Sequence, residues 1–135
     1  MILSHNVENL LQTAYEKIPK GYFTEIFVTD DGSTDKSVSI AKSLGLKVIK
    51  SLKMGYGANV KNGINYAFSK GADYVVEIHG DGAQFHPKAI IPAITHIKND
   101  VDFIIGSRLS NIKKAIELKI PIPRLFANLF LSYID

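Results

Sequence analysis

Four short apolar runs, separated by helix-patterned stretches, set the strongest limit on what this chain can fold into. The runs are "TEIFVTD" (24–30), "LKVIKS" (46–51), "ADYVVEIH" (72–79) and "VDFIIGS" (101–107). Between them, residues 6–18 place Val7, Leu10, Leu11, Ala14, Tyr15 and Ile18 on one helical face, with Asn6 as a candidate cap. Residues 34–44 put Val38, Ala41 and Leu44 on one side and close on Gly45, a natural helix stop. The glycine-rich turn "KMGYGAN" leads into a helix carrying Val60, Ile64, Ala67 and Phe68. Residues 87–98 form a further helix using Ile90, Ile91, Ile94 and Ile97, with Pro92 tolerated only in a first turn. Strand followed by helix, repeatedly, with apolar strands, predicts a parallel α/β sheet covered on both faces. The opening "MIL" leaves little length for a strand before the first helix.

Size and composition narrow the options. A chain of 135 residues suits one compact domain, 46% hydrophobic and 21% charged, well inside the globular range. The absence of cysteine excludes disulfides, thiolate metal sites and a thiol nucleophile. A net charge of +3 suits an anionic partner such as a nucleotide, a lipid phosphate or a membrane surface, and nothing points to nucleic acid. No apolar stretch is long enough to span a bilayer. The start at "MIL" and the end at "FLSYID", inside an apolar helical pattern, fit either a minimal domain or a piece of a longer protein.

In open α/β sheets, ligands gather at the carboxyl ends of the strands. There Asp30 and Asp31 end one run, His79 to Asp81 end another, and Ser107 and Arg108 follow a third. "TDDGSTD" (29–35) offers two carboxylates able to accept from base or ribose groups, yet the same residues make a good strand–turn–helix junction, and Asp35 is read as structural. "GYGANVKNG" (55–63) lacks the full spacing of a dinucleotide or Walker motif, and Lys61 faces either solvent or a phosphate. "EIHGDGAQFHP" (77–87) gathers His79, Asp81, Gln84 and His86, of which Asp81 is the best single metal candidate. A sparse carboxylate set suits Mg²⁺ or Mn²⁺ with substrate phosphates completing the shell, whereas zinc wants three or four protein ligands. Arg108 offers planar donors suited to phosphate oxygens, and Arg124 is a second, weaker candidate beside "IPIP".

In order and spacing these segments resemble the catalytic domain of family 2 glycosyltransferases of GT-A fold, nearest to dolichyl-phosphate mannose or glucose synthases and bacterial polyprenyl-phosphate sugar transferases. "LSHNVENL", "VTDDGSTDKS", "GYGANVKNG", "GSR" and "RLFAN" carry the resemblance across almost the whole of residues 1–135, with part of the first strand and the C-terminal region expected to be lacking. The resemblance implies that Asn6, Asp30, Asp31, Lys61, Gly80 and Asp81 bind a UDP- or GDP-linked sugar. It further implies that Asp81 and Gln84 hold Mg²⁺ or Mn²⁺, that Arg108 binds a donor or acceptor phosphate, and that Arg124 recognises a lipid phosphate. His79 occupies the place of the first acid of the family's metal motif, and Gln84 stands one residue further from Asp81 than usual.

The implied reaction is transfer of a hexose, with inversion, to a polyprenyl or dolichyl phosphate. The implied location is cytoplasmic, or peripheral on the cytoplasmic face of a membrane. "FANLFLSYI" (126–134) is a candidate interfacial or partner-packing helix. Two alternatives stand beside this. One is an inactive or incomplete nucleotide- or partner-binding module of the same fold. The other is a phospho-receiver signalling domain, which wants its acid pair after the first strand, whereas here the pair follows the second.

Overall fold

The computed structural model describes residues 1–82, 89–97 and 101–106. Its elements are β1 (Ile2–Ser4), α1 (Leu11–Glu16), a 3₁₀ turn (Lys20–Tyr22), β2 (Phe27–Asp30), α2 (Ser37–Ser43), β3 (Lys47–Lys50), α3 (Tyr56–Ser69), β4 (Ile78–His79) and α4 (Ile90–Ile97). The chain divides into two compact units, Met1–His96 and Ile97–Asp135; the described sheet and the three helices after its first strands belong to the former.

The four strands form one parallel sheet in the order β3-β2-β1-β4. Its register explains the core. Ile2 stands opposite both Val28 and Ile78, and Val28 opposite Val48, so one row of apolar side chains crosses all four strands. Ile2, Val28 and Ile78 bury themselves with Leu11, Ile18 and Ala41 from the α1 and α2 side. Leu3 and Phe27, one residue out of phase, point the other way and pack with Met1 and Ala67, with Val60 and Ile64 of α3 against them. This is the period-two alternation of a sheet covered on both faces. β1 and β2 are wholly buried, while β3, with exposed Lys47 and Lys50 at its ends, is an edge strand.

Four expectations change. The opening "MIL" does supply a strand: three residues suffice because β1 sits between β2 and β4 and is paired on both sides. Asn6 does not cap the following helix. It takes a left-handed φ of 53° and its carboxamide oxygen accepts from Thr34 N–H at 2.9 Å, while Val7 C=O receives the N–H groups of Leu10 and Leu11 at 2.9 Å, and α1 starts at Leu11. Of the run 72–79, only Ile78 and His79 pair, because β1 offers them only Ile2 and Leu3 as partners. Residues 101–106 carry no strand, and Ser107 lies outside the described residues. Pro92 falls in the first turn of α4, where its missing N–H costs nothing.

Candidate active site

The order β3-β2-β1-β4 reverses direction at β1: the chain moves outward to β2 and β3, then returns through α3 to β4 on the other side. Loops leaving β1 and β4 therefore diverge, and a crevice opens between them at the carboxyl ends of the strands. A cleft of about 360 Å³ lies there, lined by Ser4, His5 and Val7 after β1, Asp31 after β2, Gly55, Tyr56 and Asn59 at the start of α3, and His79, Gly80 and Asp81 after β4.

The two acids after β2 have different surroundings. Asp30, 2% exposed, accepts from Ser4 Oγ at 3.1 Å, from Ser33 Oγ, and from Ser33 N–H at 2.9 Å, so its carboxylate shapes the turn. Asp31 lines the cleft, and its carboxylate accepts Met54 N–H at 3.1 Å and Gly55 N–H at 2.9 Å. It thereby holds the glycine-rich turn before α3 against the end of β2. Gly32, φ +72°, completes the junction: a Cβ there would come within 3.1 Å of the Lys53 Cβ.

The loops after β1 and β2 are joined through side chains. Asn6 bonds Thr34, Val7 N–H donates to Ser37 Oγ at 2.8 Å, Glu8 N–H donates to Asp35 at 3.0 Å, and Lys36 N–H donates to Glu8 at 2.8 Å. Burial alone would raise the Asp35 carboxyl, but hydrogen bonds from Ser37 and Glu8 outweigh it and the pKa is lowered. The Asp35 carboxylate thus ties the loop after β1 to the start of α2. His5 Nδ1 lies 3.0 Å from Asp31 C=O, turning the imidazole along the cleft.

On the opposite wall, Gly80 is a packing necessity. A Cβ at this position would stand 2.8 Å from the Leu3 carbonyl oxygen and 3.1 Å from a Val7 methyl. Only glycine lets the chain pass so close to β1, where Gly80 N–H donates to Leu3 C=O at 2.8 Å. That close passage sets Asp81 beside the cleft. His79 stacks on the Tyr56 ring, centroids 5.6 Å apart and planes 19° apart. Glu77 links the pair, accepting the Tyr56 hydroxyl at 2.6 Å and lying 3.6 Å from His79 Nε2.

Of the residues singled out in the sequence, Asp31, Gly80 and Asp81 meet at the cleft. Asn6 and Asp30 stand just behind it as loop-shaping residues, and Lys61 is exposed on α3, outside the lining. Gln84, Arg108 and Arg124 lie outside the described residues, as does "FANLFLSYI". His5, Tyr56, Asn59 and Glu77 escaped the sequence reading. For Glu77 a signal was available, because alternation along a strand puts it on the same face as His79.

For a metal, the described residues contain no group of three His, Cys, Asp or Glu side chains. Among the described residues two carboxylates line the cleft, Asp31, which accepts the Met54 and Gly55 amides, and Asp81, while His79 is engaged by Tyr56 and Glu77. This fits an oxygen-preferring cation that takes most of its shell from substrate phosphates and water, and does not fit zinc.

A parallel sheet with helices on both faces and a crevice at the β1/β4 switch point is the architecture of the GT-A fold. The chain belongs to glycosyl transferase family 2, which matches residues 1–129. It is 28% identical over 99% of its length to a UDP-N-acetylglucosamine–dolichyl-phosphate N-acetylglucosaminyltransferase of Methanococcus voltae, and spans 60% of that protein. It is 29% identical to an uncharacterized protein of Methanocaldococcus jannaschii, over 99% of this chain and 55% of the relative. Among solved structures it resembles the glucosyl-3-phosphoglycerate synthase of Mycobacterium tuberculosis in complex with UDP, with a TM-score of 0.56 and 17% identity over 78% of this chain and 43% of that one. The chain therefore spans little more than half the length of the curated relatives it matches.

Proposed function

We propose that this chain carries the donor-binding part of a glycosyltransferase that moves a hexose from a UDP-linked sugar to a polyprenyl or dolichyl phosphate. The observation that carries the proposal is the meeting of Asp31 and Asp81, 50 residues apart in sequence, on opposite walls of the switch-point cleft. The activity of the M. voltae relative and the UDP bound to the M. tuberculosis neighbour support the donor and acceptor classes.

In this proposal the nucleoside lies between the loops after β1 and β2, along His5 and Asp31, and the diphosphate lies towards Asp81. Asp81 would hold Mg²⁺ or Mn²⁺, which supplies charge stabilisation for the departing diphosphate. Asp31 acts on the donor mainly by fixing the Met54–Gly55 turn, since its carboxylate oxygens accept both of those amides. A lipid phosphate is already an oxyanion, so the acceptor requires no general base to remove a proton. Arg108 and Arg124 are proposed as phosphate ligands on their place in the sequence.

Calorimetry with UDP, GDP and their sugars, with and without Mn²⁺, tests the donor site. The expected result is UDP binding strengthened by Mn²⁺, with that strengthening lost in Asp81→Ala. Absence of binding to every nucleotide would sink the proposal, and unchanged metal dependence in Asp81→Ala would displace the metal from that residue. Transfer to a polyprenyl phosphate is a separate assay.

A further inference from the structure

The turn between β3 and α3 presents an unusual surface. Leu52 is 88% exposed and Met54 71%: two large apolar side chains at alternate positions. Exposed Lys50 precedes them and exposed Lys53 lies between them, and neither has an ion-pair partner among the described residues. Single exposed apolar groups are ordinary on a protein surface, but a dense set of them marks a contact.

The exposure does not come from a loose turn. Asp31 grips its backbone through Met54 N–H and Gly55 N–H, Ser51 N–H donates to Asp30 C=O at 2.8 Å, and the stem of Lys53 lies over Gly32. The backbone is anchored inward while Leu52 and Met54 project outward. The turn follows the edge strand β3 at the carboxyl end of a parallel sheet, the same end as the cleft, and the next residues, Gly55 and Tyr56, line that cleft.

We propose that the Lys50–Met54 turn rests on an anionic lipid surface, with Leu52 and Met54 inserted at the headgroup level and Lys50 and Lys53 against lipid phosphates. Apolar side chains flanked by lysines combine the two signals that stable attachment to a bilayer surface needs, apolar burial and attraction to anionic lipid. The proposal rests on the lipid-phosphate acceptor in giving such a surface a purpose: a donor cleft beside the bilayer meets an acceptor whose phosphate lies at the headgroup plane.

Vesicle flotation tests it without any polyprenyl phosphate, so the outcome is independent of the acceptor assay. The whole chain is mixed with phosphatidylcholine vesicles or with vesicles also containing phosphatidylglycerol. The wild type should bind the anionic vesicles far better, and rising salt should release it. Leu52→Ser with Met54→Ser, and separately Lys50→Gln with Lys53→Gln, should each lower binding by at least about fivefold, with unchanged circular dichroism confirming the fold. Three results overturn the proposal: no binding to anionic vesicles, equal binding to neutral ones, or wild-type binding by either double variant.

Discussion

The Tyr56 hydroxyl donates to a Glu77 carboxylate oxygen at 2.6 Å, tying the first turn of α3 to the strand end that carries His79. The hydrogen bond it donates to Glu77 is the main reason the Tyr56 phenol ionises above its ordinary value of 10. Because the folded pKa is raised, this contribution to stability is complete below pH 10 and fades as pH climbs through the folded value. Glu77→Gln should therefore lower the ionisation midpoint of Tyr56, read by ultraviolet titration against Tyr56→Phe. An unmoved midpoint would show that Glu77 does not hold the phenol in solution.

Asp31 is the brace of the glycine-rich turn. Asp31→Ala should cost about 1–3 kcal/mol, because two amides lose a charged acceptor that is itself 7% exposed. Chemical denaturation gives the stability, and amide exchange at Met54 and Gly55 gives the locality. Protection of those two amides should fall before that of β1 and β2, and uniform loss across the sheet would contradict the brace.

Gly80→Ala should destabilise by about 2–3 kcal/mol, since the new methyl meets the Leu3 carbonyl oxygen at 2.8 Å in a strand paired on both sides. Gly82→Ala is the useful contrast. Its nearest neighbour would be an ordinary 3.7 Å away, but its φ of +63° disfavours a side chain, so any cost there is conformational rather than a clash. Comparable thermal midpoints for Gly80→Ala and the wild type would refute the close packing.

Stability should also vary with pH through the Met1 amine. Burial lowers its pKa from 8.0 to about 6, against the opposing pull of Glu77 and Glu25, and it donates to Val76 C=O at 2.6 Å. The unfolded chain binds the proton more tightly, so stability is complete above pH 8 and declines as pH falls through about 6. A shift of that size corresponds to about 2–3 kcal/mol. Urea midpoints at either end of this window measure the effect for the chain with a free Met1 amine, and a flat profile would rule it out.

Much of the fold was legible because its signals are local. The apolar runs ending at Asp30 and Lys50, and the helix carrying Val60, Ile64 and Ala67, appear where their patterns place them, although α3 begins at Tyr56, inside the stretch read as a turn. The acid pair follows the second strand, as the spacing required. β1 is expected only in part from the sequence, because three residues carry no periodicity; its place is fixed by neighbours at Val28 and Ile78. The role of Asn6 was misassigned for a related reason. A helix cap and a cross-loop cap use the same side chain, and only the approach of Thr34, 28 residues away, decides between them. Asp31 and Asp81 could be named from sequence, whereas the Tyr56–Glu77–His79 wall depends on α3 crossing back over β1 to reach β4.

The bonds that run between the loops after β1 and β2 bear on how this rim can change. Asn6 answers to Thr34, Val7 to Ser37, and Glu8 to both Asp35 and Lys36. Neither loop can be swapped for a relative's version without leaving the other's hydrogen bonds unanswered. In a chimera, "SHNVE" and "DGSTDKS" form a single transplantable unit, inherited or exchanged as a pair although more than twenty residues separate them.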